Sequence, residues 1–302
     1  VFEDCIFSRN YAGNHGAGLH SENGSPIVRD CTFVSNDGGS GGAMWLEGPS
    51  SPVVSRCEMQ LNTVAGIGGG IAVDIEATPT IRDCYIHDNT ASTGGGICLS
   101  TSRGLLTDCR IQGNSSTFGG GVALMSAEGV TITRTRIKAN ESVNSGGGLY
   151  ALNSAFELTD SQLTDNHTQG NGGAMWLLDA DGAVTATAVR DNSADLSTGG
   201  IYVDGSSFTA GSCEIEGNGV GLSIQGFSRS LADARYNWWG AASGPYHPIL
   251  NPSGLGDEVS DGVQFVPWNT VTGVEGWGLA VPTTWGAVKA SYLRSGLTPD
   301  ER

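Results

Sequence analysis

Apolar, small and polar positions recur along this chain at fixed distances from one repeating asparagine. Asn10, Asn36, Asn62, Asn89, Asn114, Asn140, Asn166, Asn192 and Asn218 follow one another at steps of 26, 26, 27, 25, 26, 26, 26 and 26 residues. Three residues before each stands a large apolar side chain: Phe7, Phe33, Met59, Ile86, Ile111, Ile137, Leu163, Val189 and Ile215. Eight before stand Phe2, Val28, Val54, Ile81, Leu106, Ile132, Leu158 and Val184. Five before, every occupant is small: Cys5, Cys31, Cys57, Cys84, Cys109, Thr135, Ser161, Thr187 and Cys213. Their neighbours are mostly polar, and this alternation predicts short strands with one buried face.

A variable polar loop follows each asparagine, then usually a glycine pair such as Gly69-Gly70 or Gly95-Gly96. Glycine opens backbone angles closed to other residues, so these pairs predict sharp turns. A second strand comes next, over residues 71–73, 97–99, 122–124 and 201–203. One repeat cannot bury a face alone, whereas stacked repeats can, each coil pairing in parallel with the next. The pattern therefore predicts an all-β parallel β-helix of about nine coils, a rod roughly 40 Å long at the usual strand spacing. Twice the second strand reads Ala-Met-Trp, at residues 43–45 and 174–176. With Trp in third place where other coils have Val or Leu, and Ala in first place for Ile, the expectation is a volume-conserving swap inside the core.

The columns also predict chemistry, most of it structural. Stacked asparagines at a turn can bond amide to amide from coil to coil. Six of the seven cysteines share the small column. Zinc sites want paired spacings that are absent here, and the β-carbons of a parallel stack lie farther apart than a disulfide prefers. Thr and Ser stand in for Cys at three positions, so the expectation is buried free thiols acting as small core residues. Cys98 is off the column and is expected to face outward as a reactive thiol. Six before each of the first seven asparagines runs a charged column of Asp4, Asp30, Arg56, Asp83, Asp108, Arg134 and Asp160, read as an electrostatic ladder.

The words "FSRN" (7–10) and "FVSN" (33–36), with "GGAM" (41–44, 172–175) and "GGGI" (68–71, 94–97), resemble right-handed parallel β-helix repeats, and the same F-x-x-N and G-G-A-I words mark the polymorphic outer-membrane proteins of chlamydiae. The stretch from Tyr236 to Trp268, beginning "YNWWG", is similar to the end of many secreted bacterial β-helix proteins. The resemblance covers about residues 1–270 and implies a right-handed coil and an extracellular or cell-surface location. It does not specify an activity, since this fold carries lyases, hydrolases, adhesins and structural proteins.

Composition narrows the partners. The formal net charge is −16, which disfavours nucleic acid and anionic membrane, both of which need a basic footprint. No apolar run approaches the roughly 18 residues of a membrane span. The chain starts at Val1, consistent with a processed or trimmed product. Asp179, Asp181 and Asp204 form the best candidate carboxylate cluster for sugar chemistry, with Ca²⁺ as the cofactor of a lyase; Asp-Gly turns explain them equally. His15 and His20 flank a turn and make a weak metal pair.

The expected organisation is a repeat region over 1–230, an aromatic and Pro-rich cap over 231–270, and a tail over 271–302. In the cap the ruler shortens to 19 at Asn237, and Trp238, Trp239 and Trp268 are expected to cover the last coil. In the tail, a short amphipathic helix is predicted to present Trp285, Val288 and Tyr292. The start is already in register, with Phe2 and Cys5 in core columns, so either upstream sequence continues the coil or something covers that edge, as another copy stacked head-to-tail could do. The sequence thus reads as a secreted or cell-surface structural or adhesive solenoid, a possible filament subunit touching extracellular glycans. The rival reading is a polysaccharide lyase or glycoside hydrolase.

Overall fold

The computed structural model describes residues 1–225 and 231–272. Within them the chain is a parallel β-solenoid of about nine turns, all strand and corner, with no helix. The coils build four faces. The first face runs from Phe2–Glu3 through Thr80–Arg82 to Ser207–Gly211 and is extended by Leu231–Asp233 and Val263–Gln264, giving eleven strands. The second runs from Ile6–Ser8 to Glu214–Glu216 in nine strands. The third is split into three- and four-stranded parts, joined at Thr90 by single bridges to Thr63 and Ser115. The fourth holds eleven strands, from Leu19–Glu22 through Val220–Gln225 to Gly256–Val259 and Pro245–Tyr246.

The columns become physical rows. Phe7, Phe33, Met59, Ile86 and Ile111 are successive register partners on the second face, and Val28, Val54, Ile81 and Leu106 on the first. From the second coil on, their side chains are fully buried in one continuous core.

Corners are set by left-handed residues. The charged column is the corner between the first and second faces: Asp30, Arg56, Asp83, Asp108 and Arg134 all have φ near +50°. Asp tolerates this conformation better than most residues, so backbone geometry explains the Asp bias. Each Arg then reaches back to the Asp one coil earlier. Arg56 Nε and Nη2 lie 3.0 and 2.7 Å from Asp30, and both Arg134 contacts with Asp108 are 2.8 Å.

Two expectations about the fourth face are corrected. Met44 pairs with Ile71 and Trp45 with Ala72, so the Ala of "GGAMW" replaces a third glycine and does not begin the strand. The core position is held by Met44 and Met175, and Trp45 and Trp176 point to the opposite side of the sheet. No Trp-for-Val swap inside the core occurs. Cys98 also lies on that outer side, but it is fully buried, packed with Ala123 and Tyr150 beneath Ile67, Phe118, Met125, Leu152 and Trp176. Burial pushes its thiol up to about 12, the reverse of an activated cysteine.

Candidate functional site

The asparagine column forms an unbroken ladder. Each Nδ2 donates to the Oδ1 of the next Asn at 2.8–3.0 Å, from Asn10 to Asn218. From Asn36 on, the same Nδ2 donates to a carbonyl of the preceding coil, as Asn62 does to Phe33 at 3.2 Å. Each Oδ1 also accepts the backbone N–H of the Asn before it. The buried amides are thus satisfied on both sides.

The small column has a hydrogen-bonding reason that its sizes do not reveal. Each Sγ donates to the carbonyl two residues back, as in Cys57 to Ser55 at 3.2 Å and Cys84 to Arg82 at 3.2 Å. Thr135, Ser161 and Thr187 make the same bond to Thr133, Thr159 and Thr185 at 3.0, 2.7 and 2.8 Å. All seven cysteines are free. Burial raises the thiols of Cys84 and Cys213, the latter to about 11.

Asn237 belongs to this small column and not to the Asn ladder. It accepts the N–H of Cys213 at 2.8 Å, as Ser161 accepts that of Thr135 at 3.1 Å. The shortened ruler therefore does not continue the asparagines. Trp239 is fully buried in the core; Trp238 bonds Glu216 through Nε1 at 2.9 Å; Trp268 packs on the core and donates to the carbonyl of Ala242 at 3.2 Å.

The three candidate carboxylates separate. Asp179 sits at a corner with φ +49°, its carboxylate against Gly205 of the next coil. Asp88 over Gly113 and Asp191 over Gly217 repeat that packing. Asp204 pairs in register with Leu178 on the fourth face. Asp181 opens a first-face strand and lines a solvent-facing groove of about 410 Å³ with Thr131, Glu157, Ser207 and Thr209. A β-bulge at Gly129, φ +72°, borders the groove. Glu157 pairs with Ala183, two residues beyond Asp181, so the two acids share one face with Cα atoms roughly 8 Å apart by strand geometry. Glu157 was not singled out in the sequence; its signal was an outward position in the column of Thr131 and Thr209.

His20 Nε2 lies 2.8 Å from Glu47, and the His15 ring lies 4.1 Å from that of Trp45. Burial pushes the Glu47 carboxyl up, but the bond from His20, the neighbouring Trp45 and the nearby histidine charges together outweigh it and hold it low. Among the described residues no group of three or more His, Cys, Asp or Glu is placed to hold a metal ion. Trp285, Val288 and Tyr292 lie outside the described residues.

Comparison with known proteins agrees with this geometry. A family model described as "Right handed beta helix region" matches residues 39–193, just over half of the chain. The chain belongs to that right-handed β-helix family. No curated protein and no solved structure matches it. In this right-handed β-helix the family match covers the coils from the third face of the second repeat to the third face of the eighth, with six of the nine ladder asparagines, Asn62 to Asn192.

Proposed function

We propose that this β-helix is a secreted or cell-surface structural and adhesive module that holds an extracellular polysaccharide on its outer faces. The groove on the first face carries the reading. It crosses successive coils and offers hydroxyls from Thr131, Ser207 and Thr209 beside the carboxylates of Glu157 and Asp181. Hydroxyls and carboxylates in an open, elongated groove match the hydrogen-bonding groups of an extended sugar chain. The Asn, thiol and corner columns, in contrast, are engaged with neighbouring coils and serve the scaffold.

Enzymatic cleavage of the same polymer is the second reading, favoured by Glu157 and Asp181 sharing one groove at a backbone spacing compatible with an acid and base pair. Retention on immobilised polysaccharides, with product release monitored in the presence and absence of Ca²⁺, tests both. Retention without products supports adhesion. Turnover abolished in E157Q or D181N replaces it with hydrolase or lyase activity. Failure to retain any polysaccharide removes the glycan reading.

Head-to-tail assembly is the finer structural form of the proposal. At the outer edge of the first coil the inward column residues are not covered: Phe2 is 39% exposed and Cys5 and Phe7 are half-buried, whereas Val28, Cys31 and Phe33 one coil on are buried. A coil laid on that edge continues every parallel ladder, and a second copy supplying it would build a filament. Electron microscopy over a concentration series checks this; single particles at every concentration would sink it.

A further inference from the structure

Outside the groove, one pair of like charges has no visible reason within the fold. On the outer side of the second face, Tyr85, Arg110, Arg136 and Gln162 are successive register partners. Arg110 and Arg136 therefore lie directly opposite one another, about 4.8 Å apart along the rod, an arrangement that disfavours folding. Other arginines of the coils avoid it: Arg56 and Arg134 pair with Asp30 and Asp108. Lys138, beside the pair, is engaged by Asp165 at 3.1 Å. Among the described residues Arg110 and Arg136 have no carboxylate in ion-pair reach, although the chain holds 31 acidic residues against 15 basic ones.

Their partners are neutral. Arg110 donates through Nε to Gln112 Oε1 at 2.7 Å and also through Nη2; Arg136 donates through Nε to Gln162 Oε1 at 2.9 Å. With each Gln oxygen turned to a guanidinium, the groups left for a ligand are the remaining guanidinium N–H bonds and the two amide NH₂ groups. All are donors. The Arg110 guanidinium also sits 5.0 Å over the Tyr85 ring, which fixes its plane. Both arginines are half-buried. Burial, and then the neighbouring Arg110 charge, push Arg136 below its usual value, a cost that a bound anion would relieve.

We propose that Arg110 and Arg136, with the amides of Gln112 and Gln162, form an oxyanion-binding site for the carboxylate or sulfate groups of an acidic polysaccharide. The site names the ligand class for the adhesive reading and rests on it. Two cations on a surface of net charge −16 suit a polymer with widely spaced anionic groups. A nucleic acid demands a broad basic track. The planar, half-desolvated guanidinium pair favours bidentate oxyanion bonding over diffuse attraction.

The test is affinity electrophoresis of the whole chain through gels holding polygalacturonate, dextran sulfate or neutral dextran. The first two probes separate carboxylate from sulfate recognition. The wild-type chain is expected to be retarded by at least one polyanion. The double variant R110Q/R136Q should lose at least about tenfold in affinity, since charged hydrogen bonds are removed. R134Q, whose Arg is already paired at the corner, should bind like wild type. The double variant should keep or raise its thermal midpoint, because a repulsion is relieved, so lost binding is not lost folding. Equal binding by the double variant overturns the site, as does wild-type chain that neither polyanion retards. Retention by neutral polysaccharide alone would overturn the site and leave the adhesive reading standing.

Discussion

Asp257 Oδ2 accepts two hydrogen bonds from Asn218, one from the backbone N–H at 2.9 Å and one from Nδ2 at 2.8 Å. These are the two bonds that every earlier Asn gives to the next. A carboxylate 39 residues later in the chain thus completes the last rung of the ladder.

That rung makes a paired prediction. D257A strands both Asn218 donors and should destabilise the chain by about 1–3 kcal/mol. D257N restores an acceptor oxygen of the same shape. Burial pushes the Asp257 carboxyl up, with Glu216 adding to it, and the Asn218 bonds only partly offset this. A carboxyl raised on folding gives stability that is full below its unfolded value and is lost as pH rises through the folded one. D257N should therefore gain on wild type as pH rises from about 4 toward 7. Thermal unfolding of the three proteins across that range measures it, and parallel curves for wild type and D257N would refute it.

His87 makes the second pH prediction. Burial opposes its charged form, but bonds to Glu58 at 3.2 Å and Asp88 at 2.7 Å outweigh burial and raise it above the usual histidine value. Its stabilisation is complete below about pH 6.5 and disappears as pH climbs through the raised value. H87Q should remove that part of the pH dependence. Proton NMR titration of the ring gives the direct check: a midpoint at or below the unperturbed value contradicts the geometry.

The thiol column predicts which substitutions the core accepts. C84T keeps the donor to the Arg82 carbonyl and should cost less than about 1.5 kcal/mol. C84L fills space that the column lacks and should cost about 1–3 kcal/mol. In native protein a thiol reagent should modify Cys5 first, since it alone among the cysteines is half-buried. Rapid labelling of Cys98, read by mass spectrometry, would contradict its burial.

Two glycines separate crowding from conformation. A β-carbon on Gly95 would meet the carbonyl oxygens of Gly120 and Ser115 at 2.5 Å. One on Gly129 would meet nothing within 4 Å, though φ there is +72°. G129A should cost about 1–2 kcal/mol from the left-handed backbone alone. G95A must displace neighbouring coils and should cost more. Denaturant unfolding ranks the two, and the reverse order would refute the account.

The sequence by itself determined the coil: its length, the inward columns, the parallel stacking and the identity of the ladder asparagines. A solenoid makes the same contacts in every repeat, so contacts that are distant in space become periodic in sequence. Where the chain departs from periodicity, only the tertiary structure decided. The Ala of "GGAMW" proved to be a third glycine position, which sends Trp45 and Trp176 outward, because register is fixed by hydrogen bonding and a single-residue offset reverses every side chain. Cys98 faces outward as its spacing implied, yet bulky residues from neighbouring coils bury it. Asp257 on Asn218, Asn237 under Cys213, and Glu157 beside Asp181 each join residues whose separation breaks the repeat or lies diagonally across coils. Spacing reports which residues share a column. Which columns meet, and what covers them, depends on the folded cross-section.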